Sequence, residues 1–258
     1  MKQLVLAPEA AGLDQIRVDG ADFHYLAHVR RLVLGDRIAA LAGVSRLVLE
    51  LAARDAESVT FRVLSSAPSV DEKPALTLFP FLLKAGKLDD VIRQACEAGV
   101  TQIVPVEGDH CVSRLSAGDL PHKLERWQAI ARQAAQQSGN LALCEVFPPV
   151  PSRQVTRWWA SRGPLLAFHQ TQLAPVSKAN LHRYLADDPR HIGLLVGPEG
   201  GLSEAEVTAL LAEGCLPVWL GPAVLRAETA SIHAAAAVNI ILQERSEWTI
   251  NPPTESHV

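Results

Sequence analysis

The chain has few of the features that mark a secreted, membrane-bound or strongly basic protein. Its four cysteines, Cys96, Cys111, Cys144 and Cys215, stand far apart and form no Cys-x-x-Cys pair. That spacing excludes a dense disulfide scaffold and the usual structural zinc frame, and it reads as free thiols in a reducing compartment. The most apolar stretch, residues 232–242, contains His233 and Asn239 and is too short to cross a bilayer. Residues 1–9 carry one cation and too brief an apolar run for a secretory leader, so the expected compartment is the cytoplasm. An excess of basic residues is also missing. The 24 Lys and Arg face 28 Asp and Glu for a net charge of −4, and residues 1–73 hold nine against ten. A broadly basic nucleic-acid binder is excluded, and any RNA contact has to come from local arrangement of charge.

Several catalytic signatures are absent too. There is no Gly-x-Gly-x-x-Gly, no P-loop Gly-Lys-Ser/Thr and no Gly-x-Ser-x-Gly elbow. Dinucleotide binding, NTP binding and serine-hydrolase chemistry are therefore disfavoured. His24 and His28 have the i, i+4 spacing of metal ligands, but no third ligand accompanies them and no metal is expected. What remains is an ordinary globular composition, 48% hydrophobic and 20% charged.

Residues 1–70 read as a small β-rich domain. Strand-like runs at 4–6, 37–42, 46–52 and 58–64 surround an amphipathic helical segment at 22–32. The polar stretch 65–74, which ends in Pro74, reads as a linker. Beyond it, strands and helices alternate, which predicts a largely parallel sheet. Strands are expected at 76–83, 102–106, 141–147, 165–168, 191–196 and 216–220, with Pro80 demoting the first of them. Helices are expected from 88 to a stop at Gly99, from Pro121 to Gln137, around Trp158 and Trp159, and over 178–186. Residues 148–151 read as a loop and the tail from Glu247 as frayed. Ser203 and Glu206 form a capping box opening a helix that ends at Gly214, and Thr229 or Ser231 is expected to cap the last helix.

Two of these strands, 192–196 and 216–220, end abruptly in Gly-Pro about one βαβ unit apart. Loops at the carboxyl ends of neighbouring parallel strands are where open α/β sheets place ligands. Glycine lets backbone approach a ligand closely.

The residues of these loops are also recognisable. Residues 194–203 (Leu-Leu-Val-Gly-Pro-Glu-Gly-Gly-Leu-Ser) and 220–230 (Leu-Gly-Pro-x-x-Leu-Arg-x-Glu-Thr-Ala) closely resemble the C-terminal motifs of the RsmE family. That family comprises 16S ribosomal RNA (uracil-N3) methyltransferases of the SPOUT superfamily. Residues 24–36 and 84–100 are similar to its N-terminal segment and to the first helix of its catalytic domain. The resemblance implies a PUA-like RNA-binding domain over 1–70 and a trefoil-knotted α/β methyltransferase domain over 74–246. It implies S-adenosylmethionine as cofactor, 16S rRNA or the small ribosomal subunit as partner, and a homodimer. The activity it implies is methylation of N3 of a specific uridine. The alternatives are SPOUT chemistry on another RNA, or a non-catalytic RNA-binding assembly factor.

Carried over by position, the cofactor loops comprise Phe168, His169, Val196, Gly197, Pro198, Glu199, Gly200, Gly201, Leu220, Gly221, Pro222, Leu225, Thr229 and Ala230. Arg226 and Glu228 are then the catalytic candidates. Arg226 suits charge stabilisation on uracil oxygens. Glu228 would position that arginine, accept a proton, or brace the loop as an ion pair with it. Arg30, Arg31, Arg37, Lys84, Lys87, Arg93 and Arg114 are the candidate RNA contacts. The chain departs from the family pattern at residues 136–140, which read Gln-Gln-Ser-Gly-Asn where a Glu–Arg pair is usual, and at Ala223 and Ala227.

Overall fold

The computed structural model describes residues 2–68, 74–84, 86–140, 142–171, 173 and 181–245. Two units separate within it: Met1–Asp71 with Ala135–Leu143, and Glu72–Ala134 with Cys144–Trp248.

The first unit is a five-stranded sheet built from β1 (Gln3–Leu6), β2 (Gln15–Asp19), β3 (Arg37–Ala42), β4 (Ser45–Arg54) and β5 (Ser58–Pro68), in the order β1-β3-β4-β5-β2. Of its pairings, β1 with β3 is parallel and the others are antiparallel. In β4, Leu47, Leu49 and Leu51 are buried while Arg46, Val48 and Ala52 face out, the period-2 signature of a strand with one wet face. Their core partners include Ile16, Val18, Phe23, Leu26, Ile38 and Phe61.

Two expectations change here, and the expected helical segment is present. A strand, β2, lies where the sequence predicts none. Residues 65–68 are the end of β5, paired with 45–48, and are not linker; the remainder of the predicted linker up to 73 lies outside the described residues. The helical segment is α1 (Gly20–His24) followed by a wide π-helical turn, Tyr25–Val29. It brings the His24 and His28 rings to 4.9 Å between centroids. Among the described residues, no group of three or more His, Cys, Asp or Glu is arranged to hold a metal.

In the departure at 136–140 one side chain, that of Gln136, has a structural use in this unit, while the bonds from Lys2 and Gln3 go to main-chain carbonyls. Gln3 Nε2 donates to the Ala135 and Asn140 carbonyls, Lys2 N–H donates to the Gln136 carbonyl, and Gln136 Nε2 donates to Asp22.

The second unit contains β6 (Ala75–Pro80), α2 (Lys87–Glu97), β7 (Gln102–Ile103), β8 (Val106–Glu107) and α3 (Leu120–Ser138), whose last turn counts with the first unit. There follow β9 (Glu145–Val146), β10 (Val150–Pro151), α4 (Val155–Trp159), β11 (Leu165–His169), α5 (Leu181–Tyr184), β12 (His191–Val196), α6 (Glu204–Ala212), β13 (Leu216–Trp219) and α7 (Ala227–Arg245). The main sheet has the order β13-β11-β12-β6-β7-β9 and is parallel throughout. Its central strands are apolar on both faces, as a sheet covered on each side requires. In β12 there is no apolar–polar alternation, and Ile192, Leu194 and Leu195 are all fully buried. Gly193 fits among them because a Cβ there would sit 2.6 Å from Leu165.

Pro80 does not demote β6 to an edge. It is the last residue of that strand, which lies between β12 and β7. The expected strand over 102–106 divides, and β8 pairs instead with β10, where a loop is expected from sequence. The strand over 141–147 shortens to β9, with residue 141 outside the described residues, as are 178–180 of the expected helix and the tail from 247. Asp89 of α2 accepts from Arg126 and from Trp127 Nε1 of α3, which fixes these two helices to each other. No described helix is long and apolar enough to cross a membrane.

Candidate functional site

The carboxyl ends of β11, β12 and β13 lie side by side, and the segments leaving them enclose a cleft of about 230 Å3. The first of these segments is held by short-range bonds. The Thr171 N–H donates to His169 Nδ1, and Trp219 Nε1 at the end of β13 donates to the Gln170 carbonyl. In the second, the Gly201 N–H closes a turn onto the Pro198 carbonyl, with Gly201 at φ +73°. The third turns at Gly221, φ +108°. Both angles are in the region that a side chain disfavours, so the glycines are demanded by the turns.

The α6 helix begins beside the second loop as the sequence predicts. The Ser203 hydroxyl accepts from the Glu206 N–H and the Glu206 carboxylate accepts from the Ser203 N–H. The last helix starts earlier than expected. The Ala230 N–H donates to the Arg226 carbonyl, so Ala227 opens α7. Ser231 lies inside it, its hydroxyl donating to the Ala227 carbonyl, and neither Thr229 nor Ser231 is a cap.

Of the residues singled out from sequence, Phe168, His169, Val196, Gly197, Pro198, Glu199, Gly201, Leu220, Gly221, Leu225, Arg226 and Ala230 wall the cleft. Gly200, Pro222 and Thr229 do not. Gly200 packs toward His110, where a Cβ would approach the histidine Cβ at 3.1 Å. Thr229 borders a separate groove of about 470 Å3 between α2 and α7. Leu202, Ala223, Val224 and Ala227, which lie inside the two motifs, also join the cleft wall, as does Gln170, which sequence reasoning misses. Its only signal is adjacency to His169.

The charged groups are arranged differently from expectation. Lys87, the first residue of α2, places its Nζ 3.4 Å from Glu199 Oε1 and 3.3 Å from the Glu228 carboxylate. It thus ties the second loop to the start of α7. The bracing ion pair between Arg226 and Glu228, one of the three alternatives for Glu228, does not form among the described residues. Glu228's own backbone N–H, followed by Lys87 and Arg226, holds its carboxyl below the usual 4.5 in spite of an opposing effect of burial. The Arg226 side chain is exposed at the cleft and makes no hydrogen bond or ion pair among the described residues.

The other candidate cations divide in two. Arg37 pairs with Glu50 at 3.4 Å, and Arg93 with Asp90 and Glu97 at 3.3 and 3.7 Å. Arg30, Arg31, Lys84 and Arg114 are exposed and make no side-chain hydrogen bond or ion pair among the described residues.

A parallel sheet with three segments around one cleft, two of them turning on glycine, and an exposed guanidinium at its wall matches a known class. Residues 71–239 match the family model of the RNA methyltransferase domain. The chain is 33% identical over 246 residues to the ribosomal RNA small subunit methyltransferase E of Synechocystis sp., covering 93% of this chain and 78% of that one. It is 31% identical over 240 residues to the protein of the same name from Mycobacterium bovis, covering 90% and 87%. The crystal structure of a ribosomal RNA small subunit methyltransferase E from Neisseria gonorrhoeae bound to S-adenosyl methionine is 25% identical, with a TM-score of 0.77 over 93% of this chain and 98% of that one. The chain belongs to the ribosomal RNA small subunit methyltransferase E family.

Proposed function

We propose that this chain transfers the methyl group of S-adenosylmethionine to N3 of a uridine in 16S ribosomal RNA. Its family makes it a methyltransferase of small-subunit rRNA that uses S-adenosylmethionine. The base and atom are our reading, and the observation that carries it is the guanidinium of Arg226, exposed at the wall of the cleft with no hydrogen bond or ion pair among the described residues. The cleft suits the cofactor. Leu202, Leu220 and Leu225 offer apolar surface to a purine face, and the glycine loops offer backbone donors and acceptors to its edge. A Cβ at Gly197 would stand 3.2 Å from Leu202 Cγ, so a side chain there would push the leucine by a few tenths of an ångström.

When bound, the cofactor supplies an electrophilic methyl carbon on a sulfonium. The protein has to present a nucleophile, and uracil N3 becomes one only on losing its weakly acidic proton, which passes to water. The negative charge then spreads onto the two carbonyl oxygens, and Arg226 is placed to stabilise it. Glu228 is a poor proton acceptor for this step, because a carboxyl held below its ordinary pKa is far from the basicity that neutral-pH catalysis favours. We assign it, with Lys87, to holding the loop against α7.

The uridine has to be single-stranded or flipped out for N3 to be reached. Arg30, Arg31, Lys84 and Arg114, free of partners among the described residues, are our candidates for its phosphates, and Arg37, Lys87 and Arg93 are already committed to carboxylates. The same reading makes the first unit a PUA-like RNA-binding domain and the second a trefoil-knotted one. It makes the protein a cytoplasmic homodimer, with an expected sedimentation mass of twice 27.8 kDa.

Nucleoside mass spectrometry of 16S rRNA tests the reading. N3-methyluridine should vanish from a strain lacking the gene and return with the wild-type copy. Persistence of the nucleoside in the deletion strain overturns it. The Arg226→Ala chain should bind S-adenosylmethionine normally while its turnover falls roughly a hundred- to a thousand-fold.

A further inference from the structure

The segment between β8 and α3 is bonded repeatedly to the back of the second glycine loop. Gly108 is confined between Phe81 and Glu206, where a Cβ would overlap the phenylalanine ring and lie 2.6 Å from Glu206 Oε1. Only glycine lets the chain pass there. The next residue then makes two bonds to the cap of α6. The Asp109 N–H donates to Glu206 Oε1 at 3.1 Å, and the Ser203 hydroxyl donates to Asp109 Oδ2 at 2.7 Å.

His110 follows, with its Nδ1 3.1 Å from the Gly201 carbonyl oxygen. A carbonyl can only accept, so the proton of that bond is on Nδ1. Cys111 closes the turn, its N–H donating to the Gly108 carbonyl and its Sγ accepting from the Gly108 N–H. Burial, before anything else, pushes this thiol above its ordinary pKa, which suits a packing role and not a reactive one.

We infer that Asp109 and His110 are positioning residues for the cofactor loop. They hold Gly201 and Ser203 without lining the cleft themselves, and so preform the backbone that the cofactor meets. The inference rests on the reading of the cleft as the S-adenosylmethionine site. Both side chains are exposed, so removing them takes nothing from the core. Their effect should therefore fall on affinity and leave stability alone, because a loop that is not held has to be ordered by the ligand itself.

Calorimetric titration of S-adenosylmethionine into the full chain provides the test. His110→Ala should weaken binding about fivefold, the value of one net hydrogen bond. His110→Asn should restore it, since the amide nitrogen can take the place of Nδ1 and donate to Gly201. Asp109→Ala should weaken binding to a similar degree through the freed Ser203 hydroxyl. Thermal midpoints without ligand should match the wild type, and in turnover assays the change should appear in KM for S-adenosylmethionine and not in kcat. Wild-type affinity in both alanine variants overturns the inference. So does failure of His110→Asn to recover binding, or a loss confined to kcat. A wild-type chain that binds no S-adenosylmethionine overturns instead the reading of the cleft.

Discussion

Lys87 has one ammonium group and two carboxylates to serve, and this sets the chemistry of Glu199 and Glu228 together. Replacing it by methionine keeps the stem and removes the charge. The Glu228 pKa should then rise toward 4.5, which a carbon-detected NMR titration of the side-chain carboxyl would show. All three side chains are between a quarter and about a third exposed, so each pair is expected to contribute only about 0.2–1 kcal/mol to stability. Because Glu228 titrates below its unfolded value, its contribution is complete above pH 4.5 and is lost as pH falls through the lowered folded value. The thermal midpoint of wild type should therefore exceed that of Glu228→Gln above pH 4.5, and the two should converge in more acid solution. The motif makes Glu199 and Glu228 visible in the sequence, but their partner is not visible there. It lies 112 and 141 positions away, and no local pattern reports a contact across that distance.

Among the elements, those with local causes are the easiest to read. The Ser203–Glu206 box needs only residues three apart, and it forms as the spacing predicts. Ser203→Ala should cost about 0.5–2 kcal/mol in chemical denaturation, as loss of an N-cap does elsewhere. The start of α7 is harder to place, because a serine hydroxyl near a helix start suggests a cap, whereas Ser231 turns back onto the Ala227 carbonyl within the first turns. Residues 65–68 mislead for a different reason. Serine, alanine and proline carry little strand propensity, and it is pairing with residues 45–48 that makes them a strand. The central strands β11 and β12 are legible from their unbroken apolar character, but their order in the sheet is not, since alternating strands and helices fit many windings.

For the whole molecule, a net charge of −4 means that RNA affinity has to come from placement of a few cations and not from the overall field. Changing Arg30 and Arg31 together to alanine should flatten the salt dependence of RNA binding by about two counterions if both meet phosphate, measurable by filter binding across a salt series. Neither residue's role can be read from composition, because Arg37, paired with Glu50, and Arg31, which has no ion pair among the described residues, lie six positions apart in the same short domain. The clamp at Lys87 has a further consequence for the making of the protein. On the ribosome, α2 emerges long before α7, so the ammonium of Lys87 waits for Glu228 until 141 more residues have been added. β6 likewise keeps one side open until β12 arrives to pair with it. No chain that stops short of α7 can assemble the cleft, and an enzyme whose substrate is ribosomal RNA thus stays incompetent until that helix has been made.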